Sequence, residues 1–210
     1  MKTNRRNGFT LIEMLVVMGI IAILSGALLM GYGRVTRTAQ KAKAQETVSN
    51  VATALGVLLQ QRGSWPKKLT SYHGMDGTGK GCVVEVAKVF AENDNLLGVS
   101  VDSSGKPTGT DRCGIVDPWA VAVLKRNSSS DESTAVPSGG TVKSHIIYFA
   151  LDTDFDGITE AKVCGETVKV RANAIAWCAG ADGELGDSYS KRSKKNADNV
   201  YSWQRKQEEK

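Results

Sequence analysis

Residues 9–33 read FTLIEMLVVMGIIAILSGALLMGYG, an apolar run that follows the short basic leader MKTNRRNG. A helix that crosses a bilayer needs about 20 mostly apolar residues, so this run is long enough to span a membrane. One acidic residue, Glu13, interrupts the run near its start. An ionised carboxylate is costly in hydrocarbon and usually has a partner there. We therefore expect Glu13 to have a specific function.

Glu13 has no partner of opposite charge within its own run, which contains no lysine or arginine. Cleavage of the chain between Gly8 and Phe9 would create a new α-amino group one helical turn from Glu13. This cation could pair with the carboxylate within one chain or between neighbouring chains. Between neighbours, the pair would set the axial register of stacked apolar helices.

The string GFTLIE at residues 8–13, between a basic leader and an apolar helix, resembles the class III signal of type IV pilins and type II secretion pseudopilins. The resemblance implies that a prepilin peptidase cuts after Gly8, that Phe9 is N-methylated and that Glu13 guides subunit docking. The implied partners are copies of the chain, other pseudopilins or pilins, and an inner-membrane assembly platform.

Three other interpretations explain less of this segment. A secretory signal peptide has an apolar core of roughly 7–15 residues and a small-residue cleavage site after it. Here the run is longer, and an Ala-x-Ala site is not obvious at its end. A plain membrane anchor gives no reason for Glu13 or for the pair Gly8-Phe9, and a buried soluble helix would not need the basic leader.

Charge predicts the orientation of the chain. The positive-inside rule predicts that the leader, with Lys2, Arg5 and Arg6, stays in the cytoplasm. The rest of the chain is then expected beyond a bacterial inner membrane, in the periplasm. After assembly it would lie in a periplasmic or surface filament. The formal net charge is +5. Removal of the leader leaves about +2, which is too small to indicate nucleic-acid binding.

The chain divides by pattern into four segments. They are a cytoplasmic leader at 1–8, a transmembrane and assembly helix in contact with lipid at 9–33, an amphipathic continuation at 34–62 and a periplasmic globular domain at 63–210. The last segment is long enough for a modest core. The expected fold class is α+β, with a long N-terminal helix packed on a small antiparallel β-sheet as in pilins.

The amphipathic segment is predicted from apolar residues that recur near helical spacing. They are Val35, Ala39, Ala42, Val48, Val51, Ala52, Leu55, Leu58 and Leu59. Gly63 and Pro66 predict the end of the helix. Farther along, the pattern predicts a short helix at 83–92 and antiparallel strands at 119–124, 142–151 and 167–179.

Two later stretches resemble one member of this group of proteins, the major pseudopilin. Asp117-Pro118-Trp119 resembles the Asp-Pro-Trp that opens the sheet region in that family. Residues 176–183, together with 199–203, resemble its Ser-x-Gly-x-Asp-Gly and terminal Asp-Ile-x-x-Trp. The stretch from 64 to 114 matches no motif of the family.

Four cysteines, Cys82, Cys113, Cys164 and Cys178, fit an oxidising compartment, where three pairings are possible. None has the Cys-x-x-Cys spacing of a zinc or redox motif. Pairing of sequence neighbours is expected, Cys82 with Cys113 and Cys164 with Cys178. Buried reduced thiols are the alternative.

An acidic loop, DTDFDGITE at residues 152–160, places acids at positions 1, 3, 5 and 9 of a calcium-type loop. The expected Ca²⁺ ligands are Asp152, Asp154, Asp156, the backbone carbonyl of Ile158, and Glu160. Position 12 is Val163 rather than the bidentate Glu of an EF-hand, and the flanks read as strands, so an EF-hand is not predicted. The alternative is a solvated acidic turn.

A second candidate calcium site lies in the last loop. The resemblance to major pseudopilins implies calcium binding there, where Asp182 and Asp198 lie. The basic stretch at 191–195 works against a cation, and a turn-forming Asp-Gly is the alternative.

An enzyme is not expected, since the two histidines, His73 and His145, are interpreted as structural or solvated. The expected function is that of a structural subunit of a type II secretion pseudopilus. The alternative is a type IV pilus subunit that serves adhesion, twitching motility or DNA uptake.

Overall fold

The computed structural model describes residues 10–73, 82, 84–104, 107–108, 114–120, 145–185 and 198–203, except for the side chains of 27–32. These residues form three helices, α1 (Leu11–Arg62), α2 (Lys67–Thr70) and α3 (Val84–Glu92). They also form five strands, β1 (Tyr148–Leu151), β2 (Thr159–Val163), β3 (Glu166–Val170), β4 (Ala174–Cys178) and β5 (Val200–Tyr201). The contacts divide the chain into two compact units, Met1–Ala39 and Gln40–Lys210.

The first unit contains the start of α1. Every large apolar side chain from Leu11 to Leu24 is exposed, Leu11 by 85% and Ile23 by 74%. Over the residues that the structure describes, no helix has the combined length and apolar character of a membrane span. The predicted span at 9–33 includes Phe9 and the side chains of 27–32, which lie outside those residues. The span therefore stays a prediction.

In the second unit, α1 buries one face from Ala44 onward. Ala44, Val48, Val51, Leu55 and Leu58 are separated by steps of three and four residues and are all buried. Val35, Ala39 and Ala42, which share the apolar pattern, are exposed in the single chain. The described core packs on the helix from Ala44 onward.

The helix ends where the sequence predicted. Gly63 follows Arg62 with a φ of +69°, a conformation that glycine adopts without strain, and its N–H donates to the carbonyl of Leu59 at 2.7 Å. The short helix expected at 83–92 is α3, which begins at Val84.

The main sheet is antiparallel with strand order β1-β4-β5, and β2 and β3 form a separate hairpin. Strand β4 is buried on both faces because alternate side chains enter two clusters. Ala176 and Cys178 join the cluster that contains the buried face of α1, whereas Ile175 and Trp177 join the cluster that contains Ala161 of the hairpin. The sheet therefore lies between the second half of α1 and the hairpin.

The α+β expectation, a long N-terminal helix with small antiparallel sheets, is confirmed. The observed strands differ from the expected ones in their bounds. The single strand expected at 167–179 is two strands, because residues 171–173 form a turn in which the N–H of Ala172 donates to the carbonyl of Val170 at 2.9 Å. Strands β2 and β5 were not predicted, and Trp119, expected to begin a strand, lies in a turn. Residues 121–124 and 142–144 of the expected strands lie outside the described residues.

Candidate functional site

The acidic loop joins β1 to β2 and therefore links the main sheet to the hairpin. Its two ends are held by hydrogen bonds. The N–H of Asp152 donates to the carbonyl of Asn173 at 2.9 Å, and the indole Nε1 of Trp65 donates to the carbonyl of Asp152 at 2.5 Å. At the other end, Thr159 Oγ1 donates to the carbonyl of Ala172 at 2.5 Å. The loop is thus fixed by contacts outside itself.

Three carboxylates converge in this loop. Asp152, Asp154 and Asp156 each offer an oxygen, and these oxygens lie within 4.8 Å of one another. Asp152 is buried, whereas Asp154 and Asp156 are exposed. The N–H of Gly157, whose φ is +82°, donates to Oδ2 of Asp152 at 2.8 Å, and the N–H of Ile158 donates to Oδ1 of Asp156 at 2.7 Å.

The neighbouring carboxylates disfavour the charge of Asp154. The adjacent Asp152 carboxyl raises the pKa of Asp154 by hydrogen bonding to its protonated form, and the charges of Asp156 and Asp152 add to the rise. Like charges at such distances are stabilised by a cation that all of them contact.

The predicted ligand Glu160 lies outside this cluster. Strand β2 begins at Thr159, and Glu160 lies directly opposite Lys169 of β3, with which it forms an exposed ion pair. This partner raises the pKa of Lys169, first by the hydrogen bond and then by its charge. The pleat of the strand, rather than the spacing of a loop, decides where Glu160 points.

The last loop uses its two acids to hold its own backbone. Oδ2 of Asp198 accepts hydrogen bonds from the N–H groups of Ala181, at 2.6 Å, and Asp182, at 3.1 Å. Oδ1 of Asp182 accepts one from Glu184 at 2.9 Å. At Gly180, whose φ is +75°, an added Cβ would lie 2.6 Å from the carbonyl oxygen of Asp198. These contacts form a tight turn. Residues 186–197 of the loop lie outside the described residues, so calcium binding by Asp182 and Asp198 stays a prediction.

The predicted disulfide between Cys164 and Cys178 is wrong, because both residues are thiols. They lie on opposite sides of the main sheet: Cys178 of β4 joins the cluster on α1, and Cys164, in the turn between β2 and β3, contacts the hydroxyl of Tyr201 at 3.8 Å in the other cluster. Cys82 is also a thiol, and Cys113 lies outside the described residues. Burial raises the pKa of Cys82 and raises that of Cys178 to about 12, which keeps both unreactive.

The Asp-Pro-Trp stretch forms a buried polar junction. Oδ1 of Asp117 accepts hydrogen bonds from the N–H groups of Trp119, at 3.0 Å, and Ala120, at 3.2 Å, and its Oδ2 lies 3.1 Å from Nδ1 of His145. Asp117 and His145 are both buried. The contact between the two side chains joins the segment before β1 to the turn at Asp117.

Substitution Asp117→Ala should destabilise the second unit by about 3 kcal/mol, because it leaves the buried groups of Ala120 and His145 and the half-buried N–H of Trp119 without their acceptor. This corresponds to a thermal midpoint lower by about 10 °C. Thermal unfolding of the full chain in detergent, followed by near-ultraviolet circular dichroism, measures the change. Asp117→Asn keeps an acceptor oxygen and should lose about 1 kcal/mol. Equal midpoints for the alanine variant and the wild type would contradict the prediction.

An open groove of about 480 Å³ lies beside the second half of α1. Thr47, Asn50 and Val51 line one side, and Leu97 and Ile115 contribute to the other. The described lining contains no acid, base or thiol.

At the N-terminus, Gly8 and Phe9 lie outside the described residues, whereas Glu13 has a defined contact. The N–H and the hydroxyl of Thr10 both donate to Oε2 of Glu13 at 2.8 Å, and the N–H of Glu13 donates to Oγ1 of Thr10 at 3.3 Å. This is a capping box at the start of α1. The pattern Thr-x-x-Glu could have predicted it from the sequence.

The comparisons with known proteins agree with the N-terminal resemblance. A family model described as the prokaryotic N-terminal methylation motif matches residues 3–29, which include Gly8, Phe9 and Glu13. No curated protein and no solved structure matches the chain. The chain therefore carries the prokaryotic N-terminal methylation motif, the hallmark of type IV pilin-like and pseudopilin proteins.

Proposed function

We propose that this protein is a structural subunit of a type II secretion pseudopilus, cut between Gly8 and Phe9 and N-methylated at Phe9. The observation that carries the proposal is the methylation motif at residues 3–29. The motif implies processing by prepilin peptidase and assembly with other pilin-like subunits. Cleavage after Gly8 would leave Thr10 and Glu13 in the mature helix.

The exposed apolar side chains of α1 support assembly through this helix. From Leu11 to Leu24 they are uncovered in the single chain. Removal of apolar surface from water is worth roughly 25 cal/mol per Å², so such a helix needs lipid or other helices around it. We propose that membrane lipid covers it before assembly, with the leader in the cytoplasm and the second unit in the periplasm. Neighbouring subunits would cover it in the filament.

A structural role also agrees with the chemistry of the second unit. Nδ1 of the buried His145 contacts the buried Asp117. The thiols of Cys82 and Cys178 are inert at neutral pH because burial raises their pKa values. We therefore propose that the chain is not an enzyme.

The Asp117-Pro118-Trp119 stretch favours a pseudopilus over a type IV pilus. It resembles the motif of the major pseudopilin, and here its aspartate organises the buried junction with His145. A surface pilus subunit remains the second candidate, since the N-terminal motif serves both kinds of filament.

Mass spectrometry of the native N-terminus tests processing. The mature chain should begin at Phe9 and carry one added methyl group, and a mature chain that still begins at Met1 would refute the proposal.

Deletion of the gene in its native bacterium tests the kind of filament. We expect loss of protein secretion into the medium, restored by the wild-type gene. Normal secretion with loss of surface filaments or of twitching would instead assign the chain to a type IV pilus.

A further inference from the structure

One carboxylate oxygen of Asp152 lacks a hydrogen-bond partner. The residue is only 2% exposed, and its Oδ1 is buried without any hydrogen-bond donor among the described groups. A buried charged oxygen without a partner is strongly destabilising, so such oxygens are nearly always bonded to a donor or a metal ion. This observation is independent of the two exposed acids that lie beside Asp152.

No described lysine or arginine forms an ion pair with the three carboxylates. Lys169 is a nearby cation, but its ammonium is bonded to Glu160, which is the main cause of its raised pKa; the charge of Asp156 adds to the rise. None of the three carboxylates therefore has a described side chain as a direct ion-pair partner.

The chemistry of the donors favours Ca²⁺. The carboxylate oxygens lie within 4.8 Å of one another, a span that the ligands of one Ca²⁺, at about 2.3–2.6 Å from the ion, can occupy. Ca²⁺ accepts such carboxylate ligands in flexible geometry, whereas Mg²⁺ demands a near-ideal octahedron and usually keeps several waters. A set made only of oxygen donors also differs from the nitrogen and sulfur ligands that zinc prefers.

The fixed ends of the loop favour binding. Trp65 and Asn173 hold the backbone of Asp152, and Ala172 holds Thr159 at the other end. Within the loop, Gly157 already contacts Oδ2 of Asp152 and leaves Oδ1 available. The protein therefore loses little conformational freedom when an ion enters, which favours affinity.

We propose that the loop from Asp152 to Ile158 binds one Ca²⁺ through the carboxylates of Asp152, Asp154 and Asp156. The ion would neutralise the buried Asp152 and join the end of β1 to the start of β2. It would thereby fix the hairpin β2–β3 against the main sheet. The proposal does not depend on the kind of filament that the chain forms.

Calorimetric titration with CaCl₂ of the full chain in detergent micelles, after removal of metal with EDTA, tests the site. We expect one site with a dissociation constant on the order of 10⁻⁴ M, because the bidentate Glu of an EF-hand is missing. Asp154→Asn and Asp156→Asn should each weaken binding by at least about tenfold. Both residues are exposed, so these variants should fold, as near-ultraviolet circular dichroism will check.

Asp182→Asn is the matched control, because it makes the same change at an exposed acid of the other candidate loop. It should bind Ca²⁺ within about twofold of the wild type. Calcium should raise the thermal midpoint of the wild type and of this control, and raise that of Asp154→Asn much less.

Three results would overturn the proposal. One is the absence of saturable binding by the folded wild type up to about 10 mM Ca²⁺. Another is wild-type affinity in Asp154→Asn and Asp156→Asn. The third is loss of binding in Asp182→Asn, which would place the ion in the last loop.

Discussion

Cells that express the Gly8→Val variant are expected to accumulate an uncut chain that begins at Met1 and is heavier than the mature wild type by the leader. The proposed cleavage follows a glycine, the residue that leaves most room beside the scissile bond. Valine adds a branched side chain that is stiff at χ1 and occupies that room. Processing should fall to near zero, since the substitution acts on the reacting bond itself. Immunoblotting shows the heavier chain, and mass spectrometry identifies its first residue.

Gly19→Val provides the matched control for this variant. Gly19 lies within the methylation motif but eleven residues from the cleavage site, and a Cβ added there meets no atom within 4 Å. This variant should be cut normally. A Gly8→Val product of normal mature mass would contradict cleavage after Gly8. An uncut Gly19→Val would show that processing responds to valine anywhere in the motif.

The helical part of the fold was predictable because its signals are local. The face from Val48 to Leu58 repeats at helical spacing, and Gly63 ends the helix through its own backbone conformation. The strands were less predictable. The run at 167–179 is continuous in β-type residues, and only tertiary pairing shows that it splits, with β3 opposite β2 and β4 opposite β1.

The acidic site was predictable in part. The spacing of Asp152, Asp154 and Asp156 around Gly157 predicted their convergence, because a tight turn brings alternate residues together. Glu160 could not be placed from spacing, because its direction depends on the pairing of β2 with β3. The pairing of cysteines depends on which face of a sheet each residue occupies, and the separation of Cys164 from Cys178 therefore required the structure.

Glu13→Gln should separate two functions of one side chain. In the structure the carboxylate caps α1 by accepting hydrogen bonds from Thr10. Glutamine also serves at this position of a capping box, so it keeps the cap but removes the charge. If Glu13 pairs with the α-amino group that cleavage creates at Phe9, the variant should insert into the membrane and be cut normally. Its filament yield should fall by at least about tenfold. Sedimentation of filaments, with immunoblotting of the pellet, measures the yield.

Thr10→Val makes the opposite change and completes the test. It removes the hydroxyl that donates to Glu13 and weakens the cap, but it leaves the charge in place. Filament yield should stay close to that of the wild type, because the rest of α1 continues through a long hydrogen-bonded helix. The reverse pattern, with normal filaments from Glu13→Gln and few from Thr10→Val, would assign Glu13 to the helix cap alone. Register between neighbouring subunits would then have to come from the apolar side chains of α1, whose contacts are less specific because the hydrophobic effect has no direction.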